Sequence, residues 1–279
     1  MGYFRLSDDY RERGKRLTRD GLTVTMPDGT NYTVRELLTA ESANMKLAKS
    51  GTAGAGFYTV GLSLAPYTVA GMGNLCASAS PACIAGCLNT AGKGNVQNAA
   101  GRFTVQDARI AKTRALLSRD ASTRDDVIAM LVWQLERAHN KAVRKGLKLA
   151  VRLNVLSDLP WERLAPWLFV HFADVQFYDY TKVYARLGTT PANYDLTFSR
   201  SETNEEHAVL ALSRGFRVAV VFTNRAPLPA TWNGARVIDA DLHDLRFIDG
   251  SGVVSGLKAK GKLRGLVSAF VVGSLQAVR

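Results

Sequence analysis

Residues 149–180 read LAVRLNVLSDLPWERLAPWLFVHFADVQFYDY, and they contain one complete unit of the pattern that indicates the architecture. The apolar run at 149–156 predicts a buried strand, and the run at 175–180 predicts a second one. Between them, residues 160–171 predict a helix with Pro160 in its first turn. A strand, a helix and a strand at this spacing predict a right-handed crossover between two parallel strands.

The same alternation of strands and helices extends along most of the chain. Further apolar runs predict strands at 57–64, 194–199, 217–222, 237–240 and 253–258. Helical patterns are found at 104–117, 122–146 and 202–214. We count about six parallel strands, fewer than the eight of a closed barrel. We therefore predict an α/β fold, a partial (βα)6 TIM-type barrel of mostly parallel strands with an N-terminal extension, in preference to a doubly wound sheet.

A glycine-rich joint at residues 50–56 (SGTAGAG) divides the chain into two parts. We predict that residues 1–50 form an N-terminal extension and helix, and that residues 51–279 form the α/β partial-barrel domain with a three-cysteine loop. The capping box Thr33-Val-Arg-Glu36 predicts that the helix begins there and runs to about Lys49. The basic residues at 11–19 fit either a flexible nucleic-acid arm or a short β-extension packed on the domain.

Composition and charge limit the classes of function. The 279 residues are 47% hydrophobic and 22% charged, which is typical of a folded globular protein. The net charge of +12, from 36 Lys and Arg against 24 Asp and Glu, favours a polyanionic partner, which we predict to be nucleic acid. Because no apolar window of about 18 residues and no signal-peptide core are present, we expect no membrane partner and a cytoplasmic location.

All three cysteines fall within twelve residues, at Cys76, Cys83 and Cys87, with the spacing C-x6-C-x3-C. An odd, clustered set indicates a metal or redox site rather than a disulfide framework. If residues 83–87 are helical, Cys83 and Cys87 share one face. Three thiolates can hold three irons of a four-iron cluster, or zinc with a histidine or carboxylate as fourth ligand. The alternative is that the cysteines pack as small hydrophobic side chains.

Polar residues gather where the predicted strands end. In a parallel sheet the carboxyl ends of the strands lie at one edge, so we expect many of these side chains to share one rim. Some of them have a simpler interpretation as helix caps, among them Ser157, Asp158 and Ser201. The candidates for the rim are Asn154, Ser157, Asp158, Asp179, Lys182, Ser199, Asn224, Asp239, Asp241, His243, Asp244, Lys258 and Lys260.

One strand, a three-cysteine loop and further βα units resemble the order found in radical S-adenosylmethionine enzymes. More closely, the chain resembles phage and mobile-element proteins of the gene product 88 group. The matching stretches, within about residues 44–260, are SLAP at 63–66, RLNVLSD at 152–158, FYDYTK at 177–182 and LTFS at 196–199. The resemblance implies a phage or mobile-element origin, and for a phage-encoded protein the host cytoplasm.

The cysteine loop departs from the radical S-adenosylmethionine pattern. Those enzymes have C-x3-C-x2-C with an aromatic residue beside the last cysteine, whereas Leu88 follows Cys87 here. Their Gly-Gly-Glu at the second strand is replaced by Ser157-Asp158. Radical chemistry is therefore implied by likeness alone.

The first functional hypothesis is an enzyme that modifies nucleic acid or a nucleotide. An iron–sulfur cluster at the three cysteines would act on S-adenosylmethionine, as the resemblance implies, and zinc is the alternative metal. We predict catalytic roles for Asp158, Asp179 and Lys182. We predict cofactor contacts for Asn154, Ser157, Ser199 and Asn224.

Two other hypotheses remain open. A base transglycosylase-type enzyme would use a zinc site, for which His243 is a candidate ligand, and two catalytic aspartates among Asp158, Asp179, Asp239 and Asp241. A non-enzymatic DNA- or RNA-binding protein would use the metal structurally. In an extended chain, one face is lined by Lys258, Lys260, Lys262 and Arg264. Such a face could contact phosphates, or it could belong to an edge strand whose cations face solvent.

Overall fold

The computed structural model describes residues 8–40 and 55–273 of the chain. The strands in these parts are β1 (Leu22–Thr25), β2 (Asn31–Val34), β3 (Leu38–Ala40), β4 (Phe57–Leu62), β5 (Lys148–Arg152), β6 (Gln176–Thr181), β7 (Tyr194–Ser199), β8 (Val218–Phe222), β9 (Thr231–Trp232), β10 (Ala235–Asp239) and β11 (Val254–Lys258). The α-helices are α1 (Asp8–Asp20), α2 (Pro81–Ala85), α3 (Thr104–Leu116), α4 (Ala121–Arg144), α5 (Trp161–Leu164), α6 (Pro166–His171) and α7 (Glu205–Ser213).

One nine-stranded sheet organises the described residues. Its order is β3-β4-β5-β6-β7-β8-β11-β10-β9, in which the seven inner strands are parallel and the edge strands β3 and β9 are antiparallel to their neighbours. The α/β class and the mostly parallel sheet are confirmed. The sheet is not closed and a TIM-type barrel is not shown. The parallel strands number seven rather than six, and β11 lies between β8 and β10.

The two faces of the sheet differ because side chains alternate along each strand. One face is apolar and packs under the helices, with Tyr58 and Val60 of β4, Val151 of β5 and Phe198 of β7 in the main core. The opposite face is mixed and includes several polar groups. It presents Thr59, Arg152, Tyr178, Tyr180, Thr197, Ser199 and Ser255, most of them buried. This mixed face positions the candidate site.

Two pairs of neighbouring strands are hydrogen-bonded over only a short length. The β5–β6 ladder covers only Ala150↔Gln176 and Val151↔Phe177, and the β7–β8 ladder covers only two residue pairs. Strand β7 ends at Ser199 beside the first residues of β8. The chain at 270–272 lies beside the rest of β8, where the Val272 amide donates to the Val221 carbonyl. Residues 270–272 thereby reach the carboxyl edge of the sheet.

The N-terminal segment is a docked helix followed by a hairpin. On α1, Arg11 and Arg13 form ion pairs with Glu136 and Asp126 of α4, at 2.8 Å and 2.5 Å. Helix α1 approaches so closely that a Cβ atom on Gly14 would lie 2.1 Å from the Ala129 carbonyl oxygen. The basic stretch is therefore neither a flexible arm nor a β-extension over residues 8–20.

The helix predicted from the capping box at Thr33 is wrong in its first part. Residues 31–34 form β2 and residues 38–40 form β3, while the predicted remainder, 41–49, lies outside the described residues. The helix predicted at 160–171 is two short helices, α5 and α6, separated at Ala165. Proline at 166 has no amide hydrogen to continue the first helix, which explains the break.

No helix in the described parts of the chain has both the length and the apolar character that a membrane span requires.

Candidate functional site

The three cysteines line one cavity at the carboxyl edge of the sheet. We call it the cysteine cavity, and its volume is about 250 Å³. Its polar lining comes from loops after β4 and β5 and from the ends of β6, β7 and β11. The polar lining residues besides the cysteines include Arg152, Asn154, Ser157, Asp158, Thr181, Lys182, Ser199, Lys258 and Lys260. The apolar lining residues include Val155, Leu156, Val221, Leu257, Leu263 and Phe270.

Helix α2 places Cys83 in this cavity. Ser80 caps the helix, accepting a hydrogen bond from the Cys83 amide, and Pro81 follows in the first turn, where its missing amide hydrogen costs nothing. The Glu202 carboxylate accepts hydrogen bonds from the Ser80 hydroxyl at 2.6 Å and from the Ala82 amide at 2.9 Å. Glu202 therefore attaches the cysteine loop to the segment after β7.

Cys83 and Cys87 do not share a helical face, contrary to the sequence prediction. Helix α2 ends at Ala85, and Gly86 packs against Leu263, whose side-chain atoms lie 2.5 Å from the position of a Cβ. Cys87 then begins a separate 3-10 turn at Leu88–Thr90. Both cysteines nevertheless reach the same cavity.

The thiols are partly buried and lie near one another. Burial raises the pKa of Cys76 to about 11, and the neighbouring Cys87, Asp158 and Cys83 raise it further. Burial also raises the pKa of Cys87, which Arg109 and Lys182 partly oppose. Without a metal, Cys76 and Cys87 are therefore neutral thiols at pH 7. The Cys76 sulfur donates to the Leu156 carbonyl oxygen at 3.4 Å.

The chemistry of these donors suits a thiolate-bound metal. In residues 8–40 and 55–273, no three His, Cys, Asp or Glu side chains are already arranged as metal ligands. The three thiols nevertheless share one cavity and are close enough for their charges to interact. Metal binding would deprotonate them and require the sulfur atoms to converge.

Lys182 and Ser199 form a hydrogen-bonded pair in the cavity. The Lys182 ammonium donates to the Ser199 hydroxyl at 2.7 Å, and the Lys182 amide donates to Asp158 at 2.8 Å. Asp158 also forms an ion pair with Arg186 at 2.6 Å. These contacts hold three predicted site residues, Asp158, Lys182 and Ser199, at one part of the cavity wall.

Arg152 also lines the cavity, although the sequence did not indicate a role for it. It forms an ion pair with Asp244 at 2.7 Å and lies 4.7 Å from the centre of the Tyr180 ring. The side chain is only 9% exposed. A single charge in the otherwise apolar run LAVRL was the available signal, because a charge in a buried strand requires a partner.

Asn154 and Ser157 line the cavity, but the hydrogen bonds between them and to Leu159 stay within the loop after β5. The Asn154 amide group donates to Leu159 and accepts from the Ser157 hydroxyl, which shapes the loop after β5. Asp179 does not line the cavity, because on β6 it shares its side with Phe177. It accepts hydrogen bonds from Asn154 and from the Tyr194 hydroxyl, and so supports the cavity wall from behind.

Asn224 lies outside the cavity lining and accepts a hydrogen bond from the Gly265 amide at 2.7 Å. The extended face predicted for residues 258–264 is wrong, because β11 ends at Lys258 and residues 261–263 form a 3-10 turn. Lys258 and Lys260 line the cavity, whereas Lys262 lines a neighbouring groove and Arg264 lines neither.

This neighbouring groove opens beside the cavity and has a volume of about 990 Å³. We call it the basic groove. It shares Leu88, Arg152 and Lys260 with the cysteine cavity, so the two spaces adjoin. His243 lines the groove rather than the cavity, and burial lowers its pKa.

Comparison with known proteins identifies one family. A family model described as Gene product 88 matches residues 36–272, which is most of the chain and includes all three cysteines. No curated protein and no solved structure matches the chain. The matching family agrees with the resemblance to phage proteins, and none of these comparisons supports the likeness to radical S-adenosylmethionine enzymes.

Proposed function

Because the chain belongs to the Gene product 88 family over the residues that form the cysteine cavity, we propose that this cavity is the active site of a metal-dependent enzyme that modifies a nucleotide or nucleic acid. One observation supports the proposal above all others. Three thiols and the cations Lys182, Lys258 and Lys260 line the same cavity. Active sites of parallel α/β sheets form at this carboxyl edge.

The two walls of the cavity suit the two parts of a nucleotide. Leu257, Leu263 and Phe270 form an apolar wall that suits a base. Lys182 and Lys258 provide positive charge for a phosphate. Asp158 also lines the cavity, but its carboxylate is already paired with Arg186. The charge that the cavity offers to a ligand is therefore positive.

We propose an iron–sulfur cluster at Cys76, Cys83 and Cys87, with S-adenosylmethionine as co-substrate and zinc as the alternative metal. When bound, a cluster with one open iron supplies reductive cleavage of S-adenosylmethionine. In this proposal Lys182 and Ser199 bind the polar part of the substrate. Asp158 orients Lys182 through its main-chain amide, and the apolar wall excludes water.

The geometry favours this function over the two alternatives. Of the four aspartates proposed for a transglycosylase, only Asp158 is among the residues that line the cavity. A purely binding protein was predicted from an extended basic face at 258–264, and the 3-10 turn at Gly261–Leu263 interrupts that face.

Binding of adenosine monophosphate, measured by calorimetry, tests the nucleotide part of the proposal. We expect Lys182→Met to weaken binding by about tenfold, because a charged hydrogen bond to phosphate contributes about 1.5 kcal/mol or more. Lys148→Met is the matched control, because this exposed lysine is the first residue of β5 and lies at the amino ends of the strands, away from the cavity. Equal affinities for the wild-type protein and Lys182→Met would contradict the proposal.

A further inference from the structure

The basic groove is much larger than the cavity that it adjoins, about 990 Å³ against about 250 Å³. Arg152 and Lys260 stand where the two spaces meet, because both residues line both of them. The two spaces therefore adjoin at these side chains, so a ligand longer than the cavity would extend towards the groove.

The groove has positive charge beyond what its carboxylates neutralise. Asp244 pairs with Arg152 at 2.7 Å, and Asp241 pairs with Lys260 at 2.5 Å. Lys262 is exposed and forms no ion pair with a carboxylate of the described residues. Both groove carboxylates thus already have cationic partners, and Lys262 adds a charge to the groove.

Arg109 adds a second cation on the wall that the cysteine loop forms. Its Nη1 atom donates to the main-chain and side-chain oxygens of Asn89, both at 2.9 Å. Its Nε atom is buried and has no hydrogen-bond partner within the described chain. Arg109 is therefore held in place by Asn89 while part of its guanidinium remains without a protein acceptor.

Apolar side chains stand beside these cations. Val96 is 60% exposed and Leu88 is 38% exposed, and both line the groove. Positive and apolar side chains in one groove suit a chain of nucleotides, whose phosphates and bases need both kinds of partner. A free mononucleotide would use the cavity alone and leave the groove without a role.

We propose, resting on the proposed function, that the substrate is single-stranded nucleic acid, with the target nucleotide in the cysteine cavity and the flanking strand in the basic groove. A base inside a duplex cannot enter such a cavity without leaving its stack, and that costs a few kcal/mol. A single strand does not have this cost. Lys262 and Arg109 contact the phosphates of the flanking nucleotides.

The test compares three probes by fluorescence anisotropy and calorimetry: a 12-nucleotide single-stranded DNA of mixed sequence, its duplex, and adenosine monophosphate. We expect the single strand to bind more tightly than either of the others. Lys262→Glu should weaken oligonucleotide binding roughly five- to tenfold and reduce the salt dependence by about 0.7 in log–log slope for each phosphate that the variant no longer neutralises. It should leave the affinity for adenosine monophosphate unchanged.

Lys148→Glu is the control for the change in net charge, because Lys148 is exposed at the opposite edge of the sheet. If Lys148→Glu weakens oligonucleotide binding as much as Lys262→Glu, or if the single strand binds no tighter than adenosine monophosphate, the inference is wrong while the nucleotide site stands. If the oligonucleotide binds but adenosine monophosphate does not, and Lys182→Met changes neither result, both the proposed function and the inference are wrong.

Discussion

Asp179 is a buried carboxylate that supports the cysteine cavity from behind. It is 1% exposed and accepts hydrogen bonds from the Asn154 amide at 2.8 Å and from the Tyr194 hydroxyl at 2.9 Å. Burial raises its pKa to about 7, although Arg152 opposes the shift. The folded protein therefore holds a proton on Asp179 at pH values where the unfolded chain has released it.

The variant Asp179→Asn tests this state. Because the folded pKa is raised, the stabilisation from the protonated group is complete below about pH 4 and is lost as the pH rises to about 7. We expect the stability advantage of the wild-type protein over Asp179→Asn to be smaller at pH 8 than at pH 5, by at least about 1 kcal/mol. Urea unfolding of both proteins at the two pH values measures the difference. An advantage that is constant or larger at pH 8 would contradict the assignment.

The position of a single side chain was predictable only where alternation along its own strand decides which face of the sheet it occupies. Ser199 alternates with Phe198, which is in the core, so it belongs to the opposite face, where the cavity lies. Asp179 was predicted to lie at the rim because it is near the end of a strand. Its side chain is on the same side of β6 as Phe177, however, and so it does not line the cavity. Arg152 was missed because its partner, Asp244, is 92 residues away in the chain.

The short helix α2 depends on a contact from the other side of the cavity. Glu202 joins the Ser80 side chain and the Ala82 amide. Burial alone would raise its pKa, but these two hydrogen bonds lower the pKa of Glu202. The position of Cys83 is therefore set by a residue that follows β7.

Glu202→Gln removes one of these acceptors and keeps the size of the side chain. We expect a loss of about 1 kcal/mol in the free energy of unfolding, because one acceptor oxygen becomes an amide donor. Thermal and urea unfolding measure this loss. Glu206→Gln, at an exposed position on α7, is the matched control. Equal effects in the two variants would show that Glu202 does not hold the cysteine loop.

The strands were more predictable than the N-terminal helix. Most of the parallel strands contain apolar residues that face the core, and these residues mark the strands in the sequence. The capping box at Thr33–Glu36 is only a local signal, and strand pairing of Leu22–Thr25 with residues 31–34 outweighs it. The helix α1 was not predicted, because its contact with α4 joins positions more than 100 residues apart.

The topology of the parallel sheet predicted which residues share the cavity. The carboxyl ends of parallel strands meet at one edge, and this brings Cys76, Lys182, Ser199 and Lys258 together. The topology does not predict over what length neighbouring strands pair. Strand β8 continues past the end of β7, and residues 270–272 lie beside it, so Phe270 is part of the cavity wall without any signal in the sequence.

The proposed function depends most on a metal held by the three cysteines. Analysis of iron, acid-labile sulfide and zinc per chain, after anaerobic purification, tests it most directly, with Cys83→Ala as the variant and Ser78→Ala in the same loop as the control. We predict iron with acid-labile sulfide in the wild-type protein and in Ser78→Ala, and its loss in Cys83→Ala. Stoichiometric zinc instead of iron would contradict the cluster. Metal-free wild-type protein, or equal metal in Cys83→Ala, would contradict the metal site itself.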